Sequence, residues 1–491
     1  MKRLACLNTS QLIRVWMMLA AVILAVILVA LLCPLKANAV ATLPSGFQQR
    51  VVFSGLNEPT NVEFANDGRV FVAEKSGRIK VFDNLSDNTP TTFADLRTKV
   101  HNFWDRGMLG LALDPDFPAK PYVYVLYTYD APIGGTAPTW GQPGATSDGC
   151  PTPPGATEDG CVVSGRLSRL RADPTTDKKV GREKVLIENW CQQFGTHSVG
   201  DLVFGRDGAL YVSGGEGAHP GITDYGQRGD PLNPCGDPPG GVGAKLTPPK
   251  AQGGALRSQD LRTRADPVTL DGAILRVDPS TGKALPNNPL YNSDRPNARR
   301  IVAYGLRNPF RFTIRPGTKE VWLGDVGWTK WEEIDRITNP TDANVENFGW
   351  PCYEGRGKQA LYDGANLNIC ENLYAKAGAV KGPYYAYRHD TKVVSGETCG
   401  SSSSALSGLA FYKRGPYPDS YNGALFFADY SRKCIWAMKK GTNGLPNPAR
   451  LSTFVAGAAN PVDLQIGPRG DLFYADLDGG TIRRIRYTAA N

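Results

Sequence analysis

The sequence predicts an all-β propeller, because one short pattern recurs about six times along its 491 residues. Each copy joins two alternating apolar runs through a turn rich in Gly, Asp or Pro. The copies lie at residues 61–74, 110–129, 201–217, 309–327, 408–430 and 463–480. Alternation at period two indicates a half-buried strand, and Asp-Gly between two such runs indicates a tight hairpin. Hairpins that repeat at long intervals are typical of propellers, whose blades converge on one axial pocket.

The two ends of the chain resemble each other, which favours a closed ring. Residues 50–82 are similar in pattern to residues 451–487. We therefore expect the opening strand to pair into the last blade, which removes the exposed edges of the sheet. The long intervals at 130–190, 218–300 and 328–405 are rich in Gly, Pro and Cys. Loops of this kind are expected to cover one face of the ring, where binding sites usually lie.

The first 39 residues are predicted to be a signal peptide. They combine a basic start, an uncharged apolar run at 15–33 and an Ala-Asn-Ala cleavage signature at 37–39. The apolar run approaches the roughly 20 residues that a membrane span needs, so a retained membrane anchor is the alternative. In both cases we expect residues 40–491 to form one domain outside the cytoplasm, either secreted or anchored.

Eight cysteines follow the predicted signal, and no two of them have the Cys-x-x-Cys spacing of a zinc site. An even number of cysteines in an exported chain indicates disulfide bonds. Pairing them in sequence order predicts four bonds that staple the long loops, namely Cys150–Cys161, Cys191–Cys235, Cys352–Cys370 and Cys399–Cys434.

Charge and missing motifs exclude several functional classes. The chain has a net charge of +8, and residues 1–39 carry four basic residues and no acid, so the remainder has a net charge of +4. That modest charge gives no reason to expect a nucleic-acid partner. The sequence has no P-loop, G-x-S-x-G, H-E-x-x-H or G-x-G-x-x-G motif. Nucleotide cofactors, serine hydrolysis and zinc proteolysis are therefore disfavoured.

His197 is the most suggestive of the four histidines in the chain. It lies just before the hairpin at 201–217, and Glu216 closes the same hairpin. A histidine that is oriented by a carboxylate is a general-base arrangement. The alternative interpretation is a loop histidine that makes a single hydrogen bond.

A second candidate cluster lies at residues 304–334, where Arg307, Asn308 and a proline precede a strand pair that ends in Gly-Asp-Val-Gly. Arginine is the natural donor to a carboxylate or quinone oxygen. A Gly-rich turn can expose backbone carbonyls to a hard cation such as calcium. The alternatives are a surface or inter-blade salt bridge for Arg307 and a plain turn after it.

Five segments occur in an order that resembles the glucose/sorbosone dehydrogenase family. They are DRGMLGLALDPDF (105–117), the segment from His197 to Glu216, GLRNP (305–309), GDVGWTKWEEI (324–334) and NFGWP (347–351). The resemblance extends over nearly all of residues 45–488. It implies a six-bladed β-propeller of four-stranded antiparallel sheets, with disulfide-stapled loops on one face. It also implies the cofactor pyrroloquinoline quinone with bound Ca²⁺.

The resemblance also implies roles for individual residues. His197 matches the family's catalytic base and Glu216 the acid that orients it, a position where the family often has Asp. Arg307 and Asn308 match the pair at the reactive carbonyl edge of the quinone, where Arg307 stabilises developing negative charge. The residues whose backbone carbonyls would hold calcium are Gly327 and Trp328. The remaining candidate contacts to the cofactor are Asp105 or Arg106 and Arg432 or Lys433.

One segment departs from the family pattern. Well-characterised glucose dehydrogenases of the family carry two closely spaced arginines before the outer hairpin of the last blade, where they hold the cofactor carboxylates. The matching segment here, AANPVDL at 458–464, contains no arginine. The chain therefore resembles the broader aldose dehydrogenase branch.

The expected function is oxidation of an aldose or related alcohol, with a lactone as the product of a cyclic sugar. His197 would take the proton while hydride moves to the quinone. The partners would be a small-molecule sugar and an unidentified electron acceptor, with a membrane only if the N-terminal segment is retained. One alternative is a calcium-dependent propeller lactonase. The other is a non-catalytic extracellular binding propeller, and the absence of the two arginines from residues 458–464 favours this second alternative.

Overall fold

The computed structural model describes residues 41–173, 175–263 and 267–488. These residues form an all-β ring of six blades, which confirms the predicted architecture. The predicted signal peptide or anchor at 1–39 lies outside the described residues, so that prediction stays untested. Within the described ranges, no helix is long and apolar enough to cross a membrane.

The strands are numbered in chain order, and short helices lie in the loops between them. The strands are β1 (Phe47–Phe53), β2 (Pro59–Phe64), β3 (Val70–Glu74), β4 (Arg78–Phe82), β5 (Thr91–Asp95), β6 (Met108–Leu113), β7 (Tyr122–Tyr129), β8 (Val163–Ala172), β9 (Lys179–Ile187), β10 (Cys191–Gln192), β11 (Val199–Phe204), β12 (Leu210–Gly214), β13 (Ala273–Val277), β14 (Ile301–Tyr304), β15 (Pro309–Ile314), β16 (Val321–Asp325), β17 (Trp331–Ile337), β18 (Glu346–Asn347), β19 (Tyr353–Glu354), β20 (Gly357–Lys358), β21 (Tyr385–Arg388), β22 (Leu406–Phe411), β23 (Leu425–Asp429), β24 (Cys434–Lys440), β25 (Pro446–Ala456), β26 (Pro461–Ile466), β27 (Leu472–Asp476) and β28 (Thr481–Tyr487). The helical segments are a π-helical turn (Gly155–Asp159), three 3₁₀ helices (Gly254–Arg262, Ala298–Arg300 and Asp419–Tyr421) and the α-helices α1 (Ala360–Gly364) and α2 (Asn368–Tyr374).

Four blades have the predicted four antiparallel strands, and two blades have an additional strand. Counted from the N-terminus, the sheets are β2-β3-β4-β5, β6-β7-β8-β10, β11-β12-β13-β14-β18, β15-β16-β17-β21, β22-β23-β24-β25 and β26-β27-β28-β1. In blade 2, β9 also pairs with β8, and in blade 3 the short strand β18 runs parallel to β14. Each inner strand contacts the inner strand of the next blade, and β26 contacts β2 to close the ring.

Ring closure uses both ends of the chain, as the similarity of the two ends predicts. β1 pairs antiparallel with β28, from Phe47 opposite Tyr487 to Phe53 opposite Ile482. The ring of Phe47 is buried in an aromatic cluster, with Tyr417 at 4.8 Å and Phe454 at 5.0 Å between ring centroids. The opening strand therefore completes the last blade, and its pairing covers the edge that β28 would otherwise expose.

The hydrophobic cores lie between adjacent blades. One core joins blades 2 and 3 around Trp190, Leu126 and Val212, all three of which are fully buried. Strands that are covered on both faces carry nearly continuous apolar runs, as in MLGLAL of β6. The inner strand of each blade is its first strand, and this packing holds it in place. The residues at the N-terminal ends of the inner strands are positioned in the same way.

The four disulfides are those predicted from sequence order. Two of them anchor the large loops at 218–272 and 347–380, which pack on one another through Leu256, Trp350 and Tyr362. The Cys191–Cys235 bond ties the first of these loops to blade 2, and the Cys352–Cys370 bond ties the segment after β18 to α2. These loops stand next to the candidate site described below.

Candidate active site

An axial pocket of about 290 Å³ lies where the inner strands begin. Its wall includes one residue from the start of each inner strand or from the turn before it, namely Thr60, Leu109, His197, Phe310, Leu406 and Val462. All six blades therefore contribute to one cavity, as expected for a propeller.

The hairpin of β11 and β12 brings His197 and Glu216 together. The two strands pair from Val199 opposite Gly214, so residues just outside the open end of the hairpin face each other. Backbone bonds continue the ladder, since the N–H of Gly217 donates to the carbonyl of His197 at 2.8 Å. The two side chains also meet, with His197 Nδ1 3.0 Å from Glu216 Oε1. The sequence analysis placed His197 just before this hairpin and Glu216 at its end, and the structure brings the two together.

Glu216 has a second donor that the sequence prediction missed. The indole N–H of Trp350 donates to Glu216 Oε2, and Arg307 Nε lies 3.8 Å from Oε1. Glu216 is 2% exposed and Trp350 is 4% exposed. Trp350 belongs to NFGWP, one of the five segments that carry the family resemblance, but no local pattern links it to Glu216, 134 residues away.

Burial controls the protonation of this pair. Burial and then the charge of Arg307 lower the pKa of His197 well below its ordinary value. Burial raises the pKa of Glu216 to about 7, although Arg307 and the Trp350 N–H oppose that shift. A neutral imidazole that donates from Nδ1 to Glu216 leaves Nε2 available to a ligand in the pocket that His197 lines. That is the protonation state that a general base requires.

Arg307 and Asn308 lie immediately before β15, beside this pair. Asp325 at the end of β16 accepts from the backbone N–H of Arg307 at 3.0 Å and of Asn308 at 2.6 Å. Arg307 Nη1 donates to the carbonyls of Val326 at 3.0 Å and Gly327 at 2.6 Å. Asn308 and Val326 line the pocket, so the predicted cluster at 304–334 adjoins the same cavity as His197.

The turn after β16 is folded around one carboxylate. Glu354 Oε1 accepts from the backbone N–H groups of residues 328, 329, 330 and 331, at 2.8–3.2 Å. Glu354 Oε2 accepts from Thr329 Oγ1 at 2.7 Å. Although burial raises it, these hydrogen bonds hold the pKa of Glu354 below its ordinary value. Glu354 therefore fixes the backbone of the turn that contains Gly327 and Trp328, the predicted calcium ligands.

Glu354→Gln is expected to loosen this turn and to lower the free energy of unfolding by about 2 kcal/mol. The reason is that hydrogen bonds to charged groups contribute roughly 1.5–3 kcal/mol, and glutamine keeps an acceptor oxygen but removes the charge. Denaturant unfolding measures the change. Glu371→Gln, on the exposed side of the neighbouring helix α2, is the matched control and should leave unfolding unchanged. Equal stability of the two variants would contradict this role for Glu354.

Two predicted cofactor contacts are engaged elsewhere in the structure. The guanidinium of Arg106 is buried and donates to the carbonyls of Cys161 at 2.6 Å and Phe194 at 2.6 Å. The guanidinium of Arg432 is buried and donates to Thr391 O and Ser404 Oγ, both at 2.7 Å. Neither residue is on the pocket wall. Their geometry is that of braces between loops, so their cofactor contacts stay predictions without geometric support.

The other two predicted contacts differ from each other. Asp105 is exposed and lines the pocket. Lys433 is exposed in the turn between β23 and β24, with φ at +56°, and is not on the pocket wall. The prediction offered Asp105 or Arg106 and Arg432 or Lys433, and of these four only Asp105 reaches the cavity.

The pocket wall carries more negative than positive charge. Among the described residues on that wall, Lys75 is the only lysine or arginine, while Glu58, Asp105 and Asp478 are acidic. Lys75 Nζ donates to Asn102 Oδ1 at 2.7 Å and lies 3.9 Å from Glu58 Oε1. The segment 458–464 lacks the two arginines of the family pattern, and it contributes only the apolar Val462 to the wall.

No group of three or more His, Cys, Asp or Glu residues suited to a metal ion occurs within residues 41–173, 175–263 and 267–488. A calcium ion held through the backbone carbonyls of Gly327 and Trp328 would be a site of a different kind. The carbonyl of Gly327 already accepts from Arg307, so metal and guanidinium would share that oxygen.

Fold and site together define a six-bladed propeller with a buried histidine–glutamate pair on the wall of its axial pocket. The sequence matches the family described as Glucose / Sorbosone dehydrogenase over residues 56–230 and 254–455. The chain therefore belongs to the glucose/sorbosone dehydrogenase family.

Individual relatives are distant. The HIPL1 protein of Arabidopsis thaliana is 23% identical over 388 residues, which cover 76% of this chain and 48% of that protein. Quinoprotein glucose dehydrogenase B of Acinetobacter calcoaceticus is 23% identical over 337 residues, covering 68% of this chain and 59% of that protein. The chain thus spans about half the length of its plant relative and less than two thirds of the bacterial enzyme.

Solved structures share the fold. The PQQ-bound aldose sugar dehydrogenase of Streptomyces coelicolor has a TM-score of 0.57 at 18% identity, covering 91% of this chain and 100% of that one. The apo aldose sugar dehydrogenase of Escherichia coli has a TM-score of 0.59 at 17% identity, covering 90% of this chain and 100% of that one. At this identity the likeness establishes the propeller fold alone.

Proposed function

We propose that this protein is a quinone-dependent dehydrogenase that oxidises an aldose, or a related alcohol, to the lactone. The observation that carries the proposal is the His197–Glu216 pair on the wall of the axial pocket, with Arg307 beside it. Two distant relatives, named quinoprotein glucose dehydrogenase B and PQQ-bound aldose sugar dehydrogenase, support the assignment. The cofactor would be pyrroloquinoline quinone with Ca²⁺.

Asn308 lines the pocket, whereas Arg307, Gly327 and Trp328 are not on its wall but adjoin it through Asn308 and Val326. Arg307 and Asn308 suit the quinone edge of such a cofactor. In the described part of the chain, the buried Nε of Arg307 has no hydrogen-bond partner. Arg307 and Asn308 would hold the reactive carbonyl edge, and the carbonyls of Gly327 and Trp328 would hold the calcium. Lys75 is the group on the wall that would pair with a cofactor carboxylate. When bound, the quinone would supply the acceptor for the substrate hydride.

The protein's own residues would handle the proton. His197 Nε2 accepts the proton of the anomeric hydroxyl, so that the C–H bond can break with its electron pair and leave a carbonyl. Glu216, which holds Nδ1, stabilises the imidazolium that forms. Arg307 places a fixed positive charge beside the reacting atoms, where negative charge develops in the transition state. Each group is positioned before substrate arrives, because each is buried and hydrogen-bonded.

The rate is expected to fall as the pH drops below about 7. Glu216 has a pKa raised to about 7 by burial, so it takes up a proton below that pH. Protonated Glu216 donates to Nδ1 instead of accepting from it, which moves the ring proton to Nε2 and removes the base. His197 itself stays neutral there, because its pKa lies well below the ordinary value. The pH profile of kcat tests this, and an acid limb centred well below pH 7 would contradict it.

Reconstitution is the experiment that tests the proposed function. The purified protein is combined with pyrroloquinoline quinone and Ca²⁺, and bleaching of an artificial electron acceptor is followed with a panel of aldoses. We expect bleaching only when protein, cofactor, calcium and sugar are all present, and chelation should abolish it until calcium is restored. Cofactor absorbance measured without sugar separates failure to bind the cofactor from failure to turn over.

The second candidate function is a non-catalytic binding propeller. The acidic pocket wall and the segment 458–464 without arginine favour it, because a tricarboxylate cofactor needs cations. Hedgehog-interacting protein of Mus musculus is 25% identical over 172 residues, or 34% of this chain, and its name describes an interaction rather than an enzymatic activity. If no sugar supports bleaching in cofactor-loaded protein, this function is preferred. We observe nothing among the described residues that favours the lactonase alternative.

The domain is proposed to work outside the cytoplasm. The four disulfides support this location, because such bonds persist in oxidising compartments. Whether the domain is secreted or anchored depends on residues 1–39, which lie outside the described residues.

A further inference from the structure

Glu216 is held from both sides of its carboxylate. Oε1 is bonded to His197 Nδ1 at 3.0 Å, and Oε2 accepts from the indole N–H of Trp350. A buried carboxylate that has one donor on each oxygen cannot rotate without leaving a buried polar atom unpaired, which is unfavourable. The orientation of Glu216 therefore depends on Trp350 as much as on His197.

We propose that Trp350 is the positioning residue of the His197–Glu216 pair, and that its indole N–H determines which nitrogen of His197 faces the pocket. With Oε2 occupied, Oε1 is directed at Nδ1, so the ring proton stays on Nδ1 and Nε2 carries the lone pair. Without that donor, the carboxylate is free to turn and the ring loses its preference for one tautomer. Trp350 is not on the pocket wall and acts on His197 through Glu216.

Trp350 is suited to this role because its own position is fixed. Its backbone N–H donates to the carbonyl of Gly305 at 2.8 Å, and its carbonyl accepts from Gln259 Nε2 at 2.7 Å. Its ring packs edge to face on Trp328 at 6.1 Å and on Tyr362 at 5.8 Å between centroids. A rigid donor loses little freedom on making its hydrogen bond, so the bond is effective at fixing its acceptor.

The same ring also contacts the second half of the site. The guanidinium carbon of Arg307 lies 5.4 Å from the centroid of the Trp350 ring, within the range of a cation–π interaction. Trp328, in the turn that Glu354 holds, donates from its indole to the carbonyl of Pro220 at 2.7 Å. Trp350 thus stands between the proposed base and the proposed calcium turn.

Several charged or titratable groups face Glu216 from the elements around it, namely His197, Asp224, Arg257, Arg307, Asp325 and Tyr362. Arg257 approaches from the long loop, with Nη1 at 3.5 Å from the backbone carbonyl of Glu216. Trp350→Phe leaves all six groups in place and keeps an aromatic ring against Arg307 and Tyr362. A change in the pair after that substitution is therefore assigned to the lost N–H.

The effect of Trp350 on the reaction rate rests on the proposed function, but its effect on the His197 tautomer does not. The tautomer can therefore be tested without the cofactor. Nitrogen-15 NMR of the histidine rings in the cofactor-free protein reports the tautomer of His197 directly. The chain has four histidines, and the His197 signals are assigned by their loss in His197→Ala. In the wild type at pH 8 we expect Nδ1 to be protonated. In Trp350→Phe we expect a mixture of the two tautomers.

Trp322→Phe is the matched control. Trp322 is buried in blade 4, its indole donates to Glu320 Oε2 at 3.0 Å, and the guanidinium carbon of Arg336 lies 5.5 Å from its ring. It reproduces a buried indole–carboxylate bond with a nearby arginine, away from the pocket. This control should leave the His197 tautomer unchanged. If Trp350→Phe also leaves it unchanged in folded protein, the proposal is wrong.

Two further measurements keep the test decisive. If Trp350→Phe does not fold, Trp350→Met fills the same space with a flexible apolar side chain that has no donor, and it should show the same mixture of tautomers. In reconstituted enzyme, Trp350→Phe should lower kcat about tenfold with little change in KM, and should move the acid limb to higher pH. The NMR result stands even if no sugar is oxidised, so failure of this inference and failure of the proposed function are distinguishable. A wild-type tautomer in both Trp350 variants overturns the inference.

Discussion

His197→Ala is expected to lower kcat by about 10²–10⁴-fold in folded, cofactor-loaded protein, the usual contribution of general-base catalysis. The ring lies on the wall of the axial pocket and is bonded through Nδ1 to Glu216, so its loss leaves no other base at that place on the wall. Cofactor binding should be nearly unchanged, because the substitution removes no charge that would hold a carboxylate. Turnover of the reconstituted enzyme, compared with cofactor absorbance in the same samples, is the measurement.

Two companion variants sharpen this result. Glu216→Gln should cost less than His197→Ala, because the base remains while its orientation and basicity are disturbed. His219→Ala should be mild, since His219 contacts Thr157 O at 3.1 Å and the Phe194 ring and is not on the pocket wall. Near wild-type turnover in His197→Ala would reject the assignment and leave the binding propeller as the preferred function.

Arg307→Ala is expected to lower kcat by about 10²–10³-fold, the loss that follows removal of one donor to developing negative charge. Arg307 combines a buried Nε without a partner in the described residues with two bonds from Nη1 to the carbonyls of Val326 and Gly327. Its removal also takes away the positive charge nearest to Glu216, so the pKa of Glu216 should rise and the acid limb should move to higher pH.

Arg307→Lys separates charge from geometry. Lysine supplies a point charge but not the planar fork, so it should recover part of the rate and restore the position of the acid limb. If Arg307→Ala turns over at the wild-type rate while its cofactor affinity falls, Arg307 holds the cofactor rather than the transition state. If neither changes, its role is limited to bracing the turn after β16.

The sequence predicted the fold and the meeting of His197 with Glu216, and both predictions rest on local patterns. Period-two alternation and turn residues define about six hairpins, and the similarity of the two ends predicts their pairing, while the family resemblance implied six blades of four strands. His197 and Glu216 were found because they flank one hairpin, and pairing within a hairpin brings its two flanks together. Sequence order also identified the disulfides, since each joins neighbouring cysteines.

The contacts that were missed connect distant segments. Trp350 reaches Glu216 across 134 residues, and Glu354 folds a turn that lies 23–26 residues before it. Nothing in the local pattern of either segment encodes its partner. Sequence also cannot say whether an arginine enters a pocket or braces backbone carbonyls, and Arg106 and Arg432 do the latter. The acidic character of the wall appears only when Glu58, Asp105 and Asp478 are brought to one cavity.

The pairing of β1 with the last blade has a consequence for the order of folding. Gln49 and Tyr474 share a hydrogen bond of 2.7 Å although they are 425 residues apart, so the ring can close only when almost the whole chain has been made. The entropy of closing so long a loop amounts to about 5 kcal/mol. Contacts of such high sequence separation form late and slow folding. A chain that is cut short before β26 would leave β1 without its partner, and the propeller would stay open at the seam.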